Sequence, residues 1–233
     1  LEGLDWPKGI LEMQRNWIGK KEGINIDYDV VDSPSQFFQK TNKTKKIAKS
    51  SSKIIDKITC FTTRPDTNFG ATFIVIAPEH EFVKKIKNED VKKYVGETAS
   101  KSEQERLNEN KKKTGVFTGF YAVNNLNGKL LPIWISDFVL SGFGTGAVVG
   151  VPGHDLRDFE FAKEFEIKII RVVVGKDGDK SEITKKEQVQ EEDGIMINSE
   201  FLNDMDIHTA TKKIMDYFEE KGWGKRIPSY HLR

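Results

Sequence analysis

The sequence predicts an α+β fold, a mixed β-barrel-like core with surrounding helices. Three observations carry that prediction. Runs rich in β-branched and aromatic residues dominate the middle of the chain. Helical patterns interrupt them at irregular intervals, unlike the regular strand–helix alternation of a parallel α/β sheet. The runs at 115–123 and 131–140 are joined by a short turn, 124–128, whose Asn127-Gly128 suits a tight reversal.

Element by element, residues 6–19 read as a helix. Asp5 suits its cap, Pro7 its first turn and Gly19 its end, and Ile10, Met13 and Trp17 fall at helical spacing. Ile24, Ile26, Tyr28 and Val30 alternate with polar residues as in a half-buried strand. Residues 33–53 are polar and lysine-rich and read as a loop, with a solvated charge run the default over a nucleic-acid contact. Strands follow at 54–61 and 71–77. The stretch 79–110 reads as helical in pieces, broken near Gly96. Gly144 to Val151 is a small-residue strand, and 155–165 a helix with Phe159, Ala162 and Phe165 at helical spacing. The apolar run 167–174 predicts a central strand, 175–194 a flexible excursion, and 208–221 a helix ended by Gly222.

Composition narrows the function classes. The 233 residues suffice for one large domain or two small ones, and 37% hydrophobic residues supply a core. A formal net charge of +1 argues against a surface built wholly to trap polyanions. Cys60 is the one cysteine, which excludes an internal disulfide and a cysteine-based zinc site within this chain. No apolar stretch approaches the ~20 residues of a membrane helix. The expectation is a soluble, cytoplasmic protein of a reducing compartment, with no metal, no cofactor and no membrane partner.

Two constellations stand out. In the first, Thr62-Thr63-Arg64-Pro65-Asp66-Thr67 gathers hydroxyls, a guanidinium and a carboxylate where a strand gives way to a turn. Pro65 fixes φ and removes a donor, so the strand cannot continue. Such a cluster builds a site; its alternative is a threonine-rich strand end with an ordinary Pro-Asp turn. In the second, glycines at 144, 146 and 150 precede Pro152-Gly153-His154-Asp155-Leu156-Arg157-Asp158. Glycines admit close backbone or ligand approach. Asp155 is the natural helix N-cap, and Asp158 lies three residues on, able to share a face with it. His154 has no ligand set around it and reads as a hydrogen-bonding histidine. The glycine run lacks the Gly-Lys-Ser/Thr ending of a phosphate loop, and no Gly-x-Ser-x-Gly elbow is present.

Taken together, the two stretches resemble the editing domain of leucyl-tRNA synthetases, often called connective peptide 1. The carriers are Thr-Thr-Arg-Pro-Asp-Thr at 62–67, Phe-Gly-Ala-Thr at 69–72, Ala-Pro-Glu-His at 77–80, and Gly-Thr-Gly-Ala-Val through His-Asp-Leu-Arg-Asp-Phe-Glu-Phe-Ala at 144–162. The segment 13–19 resembles the lead into such a domain and 230–233 the return from it, so the resemblance covers essentially the whole chain. It implies a class I synthetase editing-domain fold: one domain over 1–233, with a core at 24–221 and connecting segments at 1–23 and 222–233. The His-Ile-Gly-His and Lys-Met-Ser-Lys-Ser signatures of the aminoacylating centre do not occur in it. Phe143 stands where the family often has Tyr, Val149 where Met is frequent, and Asn68 in place of a usual apolar residue.

The resemblance further implies hydrolysis of the ester that joins a wrong amino acid, norvaline or isoleucine, to the terminal adenosine of tRNA(Leu). The implied partner is the aminoacylated 3′ end of that tRNA, and the implied state a monomer. Asp158 is expected to bind the substrate ammonium, Thr67 to exclude leucine, and Thr62 and Thr63 to position water or ribose. Arg64 is expected to orient the nucleotide or hold a carboxylate such as Asp66. Val149, Val151, His154, Asp155, Arg157 and Phe143 are expected around the substrate, Asp155 and Arg157 mainly as supports. Two other readings stay open: a tRNA- or nucleotide-binding module inactive in isolation, and a deacylase of another specificity.

Overall fold

The computed structural model describes residues 5–7, 9–11, 18–32, 54–106, 112–142 and 144–232. One mixed sheet dominates them. Its strands are β1 (Ile18–Val31), β2 (Asp56–Thr62), β3 (Phe73–Ile76), β4 (Val116–Val123), β5 (Leu130–Ile135), β6 (Ala147–Gly150) and β9 (Gly224–Leu232). The path runs β2-β1-β4-β5-β3-β6, with β9 on β1. All pairings are antiparallel except β3 with β5. The two ends of the path, β2 and β6, lie against each other, so the sheet curls into a nearly closed barrel. Two short strands, β7 (Val173–Val174) and β8 (Ile195–Met196), form a separate ladder. The helices are α1 (Glu89–Ala99), α2 (Glu103–Arg106), α3 (Leu156–Glu164) and α4 (Ile207–Glu220).

The strand pattern explains the barrel. Along β1, Ile24, Ile26, Tyr28 and Val30 point inward and are buried, and Ile58 and Cys60 do the same on β2. β3 is buried on both faces. Ile74 and Ile76 enter the barrel, while Phe73 and Val75 enter a second core beneath α3. That second core is aromatic: Phe161 packs on Phe73 at 5.1 Å, on Phe165 at 4.6 Å and edge-on to Trp134 at 5.7 Å between ring centroids. It fixes α3, and with it Asp158, relative to β3 and β6.

Three expectations need correction. Within the helix expected over 6–19, residues 9–11 are helical, with the Leu11 amide on the Pro7 carbonyl, and residues 8 and 12–17 lie outside the described residues. Ile18 and Gly19 instead begin β1, because Leu232 and His231 pair with them; Met13 and Trp17 lie outside the described residues, as does the loop expected at 33–53. Gly96 sits inside α1; the helical pieces separate on either side of that helix. The run 167–174 is no central strand. Only Val173 and Val174 pair, with β8, because the backbone before them packs across two glycines and gives its Val172 amide to a histidine ring. Within the excursion expected at 175–194, Lys186–Gln188 form a 3-10 turn. The segments expected to connect the domain, 1–23 and 222–233, meet as a ribbon where Ile18–Gly23 of β1 face Ile227–Leu232 of β9.

Candidate active site

The end of β2 and the end of β6 are brought side by side through β3. Gly150 pairs with Phe73, and the Thr72 amide bonds the Gly150 carbonyl at 3.0 Å. A Cβ on Gly150 would lie 2.3 Å from the Phe73 ring, so only glycine permits this register. The threonine-rich turn before β3 and the loop after β6 therefore form neighbouring walls.

The first wall is a 3-10 helix, Pro65–Gly70, every residue of which is buried. Its stop and start are local. The Arg64 amide bonds Thr62 Oγ1 at 3.0 Å, and Pro65 occupies the first helical turn, where its missing N–H costs nothing. Thr67 closes the turn: its amide and its hydroxyl both donate to the Arg64 carbonyl, at 3.2 and 2.8 Å. Thr67 is 1% exposed, with its hydroxyl committed to main chain and χ1 stiff. Thr62 and Thr63 are half-buried at the strand end.

Arg64 grips Asp66 through Nε (3.1 Å) and Nη2 (2.9 Å) and sends Nη1 to the Glu191 carbonyl at 3.1 Å. Asp66 is fully buried. Pairing and hydrogen bonding offset the cost of burying that carboxylate, and Thr211 Oγ1 adds a further donor at 3.1 Å. Asn68 meets polar neighbours in place of apolar packing: Tyr28 donates to its Oδ1 at 3.0 Å, and Asn124 Nδ2 to its carbonyl at 2.9 Å, while its own Nδ2 has no hydrogen-bond partner among the described residues.

The second wall runs from β6 into α3. Asp155 caps the helix, its Oδ1 accepting from the amides of Arg157 (2.9 Å) and Asp158 (3.0 Å). Asp158 is 7% exposed, and its Oδ2 accepts from the Val151 amide at 2.8 Å. Burial, reinforced by the neighbouring Asp155 charge, pushes its carboxyl well above the usual range; the Val151 amide and the charges of Lys113 and Arg157 offset this only in part. Val149 is buried in β6, Val151 is half-buried, and Arg157 is exposed. Phe143 lies outside the described residues.

His154 is wedged between the walls and the strap that follows α3. Its Nδ1 meets the Gln190 carbonyl and its Nε2 the Val172 amide, both at 2.9 Å. Because an amide must donate to Nε2, Nδ1 carries the proton, and both ring nitrogens are occupied within the protein. Burial lowers its pKa to about 4. The strap runs close over both walls. A Cβ on Gly153 would lie 2.6 Å from the Ile170 carbonyl, and one on Gly70 would lie 3.0 Å from Val172.

The residues missed by the sequence reading sit at 190–191 and 211. Gln190 bonds the Gly153 carbonyl through its own amide (3.0 Å), and Glu191 Oε1 receives the Leu156 amide at the start of α3 (3.0 Å). With the Arg64 contact, this pair clasps both walls. Its only sequence signal is a change from a Lys/Glu run to Val189-Gln190; Thr211 carries none, being one polar residue on an amphipathic helix. Among the described residues no group of three or more His, Cys, Asp or Glu is placed to hold a metal, and no helix is long and apolar enough to cross a membrane.

This arrangement offers a buried, stiff threonine, hydroxyls at a strand end, a tethered guanidinium and a buried carboxylate that, among the described residues, accepts its hydrogen bond from a neutral amide. A family model described as the leucyl-tRNA synthetase editing domain matches residues 15–219. Among solved structures, the chain is similar to the crystal structure of the ternary complex of Agrobacterium radiobacter K84 agnB2 LeuRS, tRNA and LeuAMS. The identity is 30% and the TM-score 0.62, over 100% of this chain and 23% of that one.

Proposed function

The chain belongs to the leucyl-tRNA synthetase editing-domain family, and from that premise we propose that its site hydrolyses the ester of mischarged tRNA(Leu). The observation that carries this reading is the adjacency of the Thr67 wall and the buried Asp158 carboxylate. A misacylated substrate supplies what Asp158 lacks. Its α-ammonium forms a charge-assisted hydrogen bond and offsets the cost of keeping that carboxylate ionised. The amino-acid side chain then falls against Thr67. Since the Thr67 hydroxyl is tied to the Arg64 carbonyl, its methyl is the surface that excludes leucine while admitting norvaline or isoleucine.

The chemistry asks for no covalent enzyme intermediate. Water adds to the ester carbonyl carbon, the bond from that carbon to the ribose oxygen breaks, and the ribose oxygen takes up the proton. Thr62 and Thr63 hold the water or the ribose and donate to the developing oxyanion. Arg64 faces the nucleotide end. Orientation supplies most of the acceleration. Editing is needed because one methylene in an apolar pocket discriminates by only ~1–3 kcal/mol; the synthetases are the standard example of that limit.

Deacylation of tRNA(Leu) charged with norvaline, isoleucine or leucine tests the reading. The expected result is release of norvaline and isoleucine with leucine spared. Equal release of all three, or release of none by folded protein, rejects it.

A further inference from the structure

Asp66 is the only charged residue of the 3-10 turn and is 0% exposed, so every donor around it matters. Arg64 supplies two nitrogens from two residues away. The remaining donor comes from α4: Thr211 Oγ1, 145 residues away in sequence, reaches the same Oδ1 that Arg64 Nε contacts. A guanidinium and a carboxylate two residues apart can swing together as one unit. Two contacts from independent elements limit that freedom: the Glu191 carbonyl at the Arg64 end and Thr211 Oγ1 at the Asp66 end.

The element is well anchored. Asp206 caps α4 through the amides of His208 and Thr209, both at 3.0 Å. Ile207, Ala210, Ile214, Met215 and Phe218 seat it in the barrel core. Arg226 on β9 grips Asp216 and Glu219 on its outer side. Thr211 is thus a fixed post for Asp66, and Arg64 is held between Asp66 and the Glu191 carbonyl.

We propose that Thr211 is a positioning residue for the editing reaction, setting the angle at which Arg64 meets the nucleotide end of the substrate. The proposal rests on the function argued above. It acts through Arg64, so its signature is in substrate binding: KM, with kcat little changed.

Two readouts test it. With norvalyl-tRNA(Leu) and the full chain, Thr211→Val should raise KM about tenfold with kcat within about twofold, and Thr211→Ser should restore wild-type values. In 15N NMR of the unliganded protein, the Arg64 Nε–H should exchange with solvent faster in Thr211→Val than in wild type. Thr211→Ala replaces the valine variant if that fails to fold. Wild-type KM together with unchanged Nε–H exchange overturns the proposal, as does a loss confined to kcat. If wild-type protein deacylates nothing, the proposed function fails, and the NMR comparison alone then decides whether Thr211 fixes Arg64.

Discussion

The two walls of the site solve opposite electrostatic problems. In the 62–70 wall the buried Asp66 carboxylate is matched from within, by Arg64 and Thr211, and Thr67 spends its hydroxyl on main chain. In the 151–158 wall the buried Asp158 carboxylate accepts from a neutral amide and sits near a second carboxylate, Asp155. The first wall satisfies its charged groups from within the protein, and in the proposed function it serves as a template. The second holds a charge at a cost that a cationic ligand can offset. A site that measures one part of a molecule and captures another needs one wall of each kind.

The largest effect expected from breaking this contrast is at Asp158. Asp158→Asn keeps an oxygen for the Val151 amide and removes the charge. Deacylation should fall by about 10³-fold or more, as expected when a buried charged partner of an ammonium is lost. The same variant should be more stable at neutral pH. The native carboxyl titrates above its unfolded value, so the folded state binds the proton more tightly. Stability is therefore lost as pH rises through that raised pKa, and asparagine abolishes the loss. Thermal unfolding of the two proteins at pH 7 checks this; equal or lower stability of the variant contradicts it.

Thr67 comes next. If the methyl does the excluding, Thr67→Ser and Thr67→Ala should both begin to hydrolyse leucyl-tRNA(Leu), by about 10- to 100-fold over wild type. Thr67→Val should keep leucine out despite losing the bond to Arg64. Leucine hydrolysis by the valine variant equal to that of the serine variant would assign the sieve to the hydroxyl.

His154 sharpens the comparison through pH. Its native pKa is about 4 against an ordinary 6.5, so its contribution is fully present above pH 6.5 and is lost as pH falls toward 4. The most this can amount to is about 3 kcal/mol. His154→Gln, able to donate to the Gln190 carbonyl and accept from the Val172 amide, should flatten the stability profile over that window in denaturant titrations. An unchanged profile would move the acid sensitivity to another group.

The smallest effect is expected at the exposed clasp. Glu191→Ala removes one acceptor from the start of α3 and leaves the carbonyl that holds Arg64, so deacylation should fall by about two- to fivefold. Initial rates suffice to check it, and a loss as large as that of Asp158→Asn would make the clasp part of the substrate site.

How far these features could be read from sequence follows from where their partners sit. The inward strand residues of β1 were legible because alternation is a local signal, and Asp155 as a cap because its partners are the next residues along. The double-sided burial of β3 likewise shows as an uninterrupted apolar run. The run 167–174 misled because β-propensity reports a packed, extended chain, and here Ile170 and Val172 pack on Gly70, Gly153 and His154 while Ile167 and Ile169 pack on the aromatic core, with no neighbouring strand through most of its length. Residues 190–191 act through carbonyls and one carboxylate, and Thr211 through one hydroxyl. Such contacts leave no periodicity, and only the fold brings them to the site. The paired motifs at 62–67 and 144–162 were legible as a candidate site, but the division between a self-satisfied wall and a charge-holding wall needed burial and donor identities.

The most direct test of that division is calorimetric binding of two non-hydrolysable norvalyl-adenosine analogues, one with its α-amine and one with a hydroxyl in its place. The account predicts that the amine analogue binds at least about 100-fold more tightly to wild-type protein, with the difference vanishing in Asp158→Asn. Equal affinity of wild type for the two analogues would contradict it.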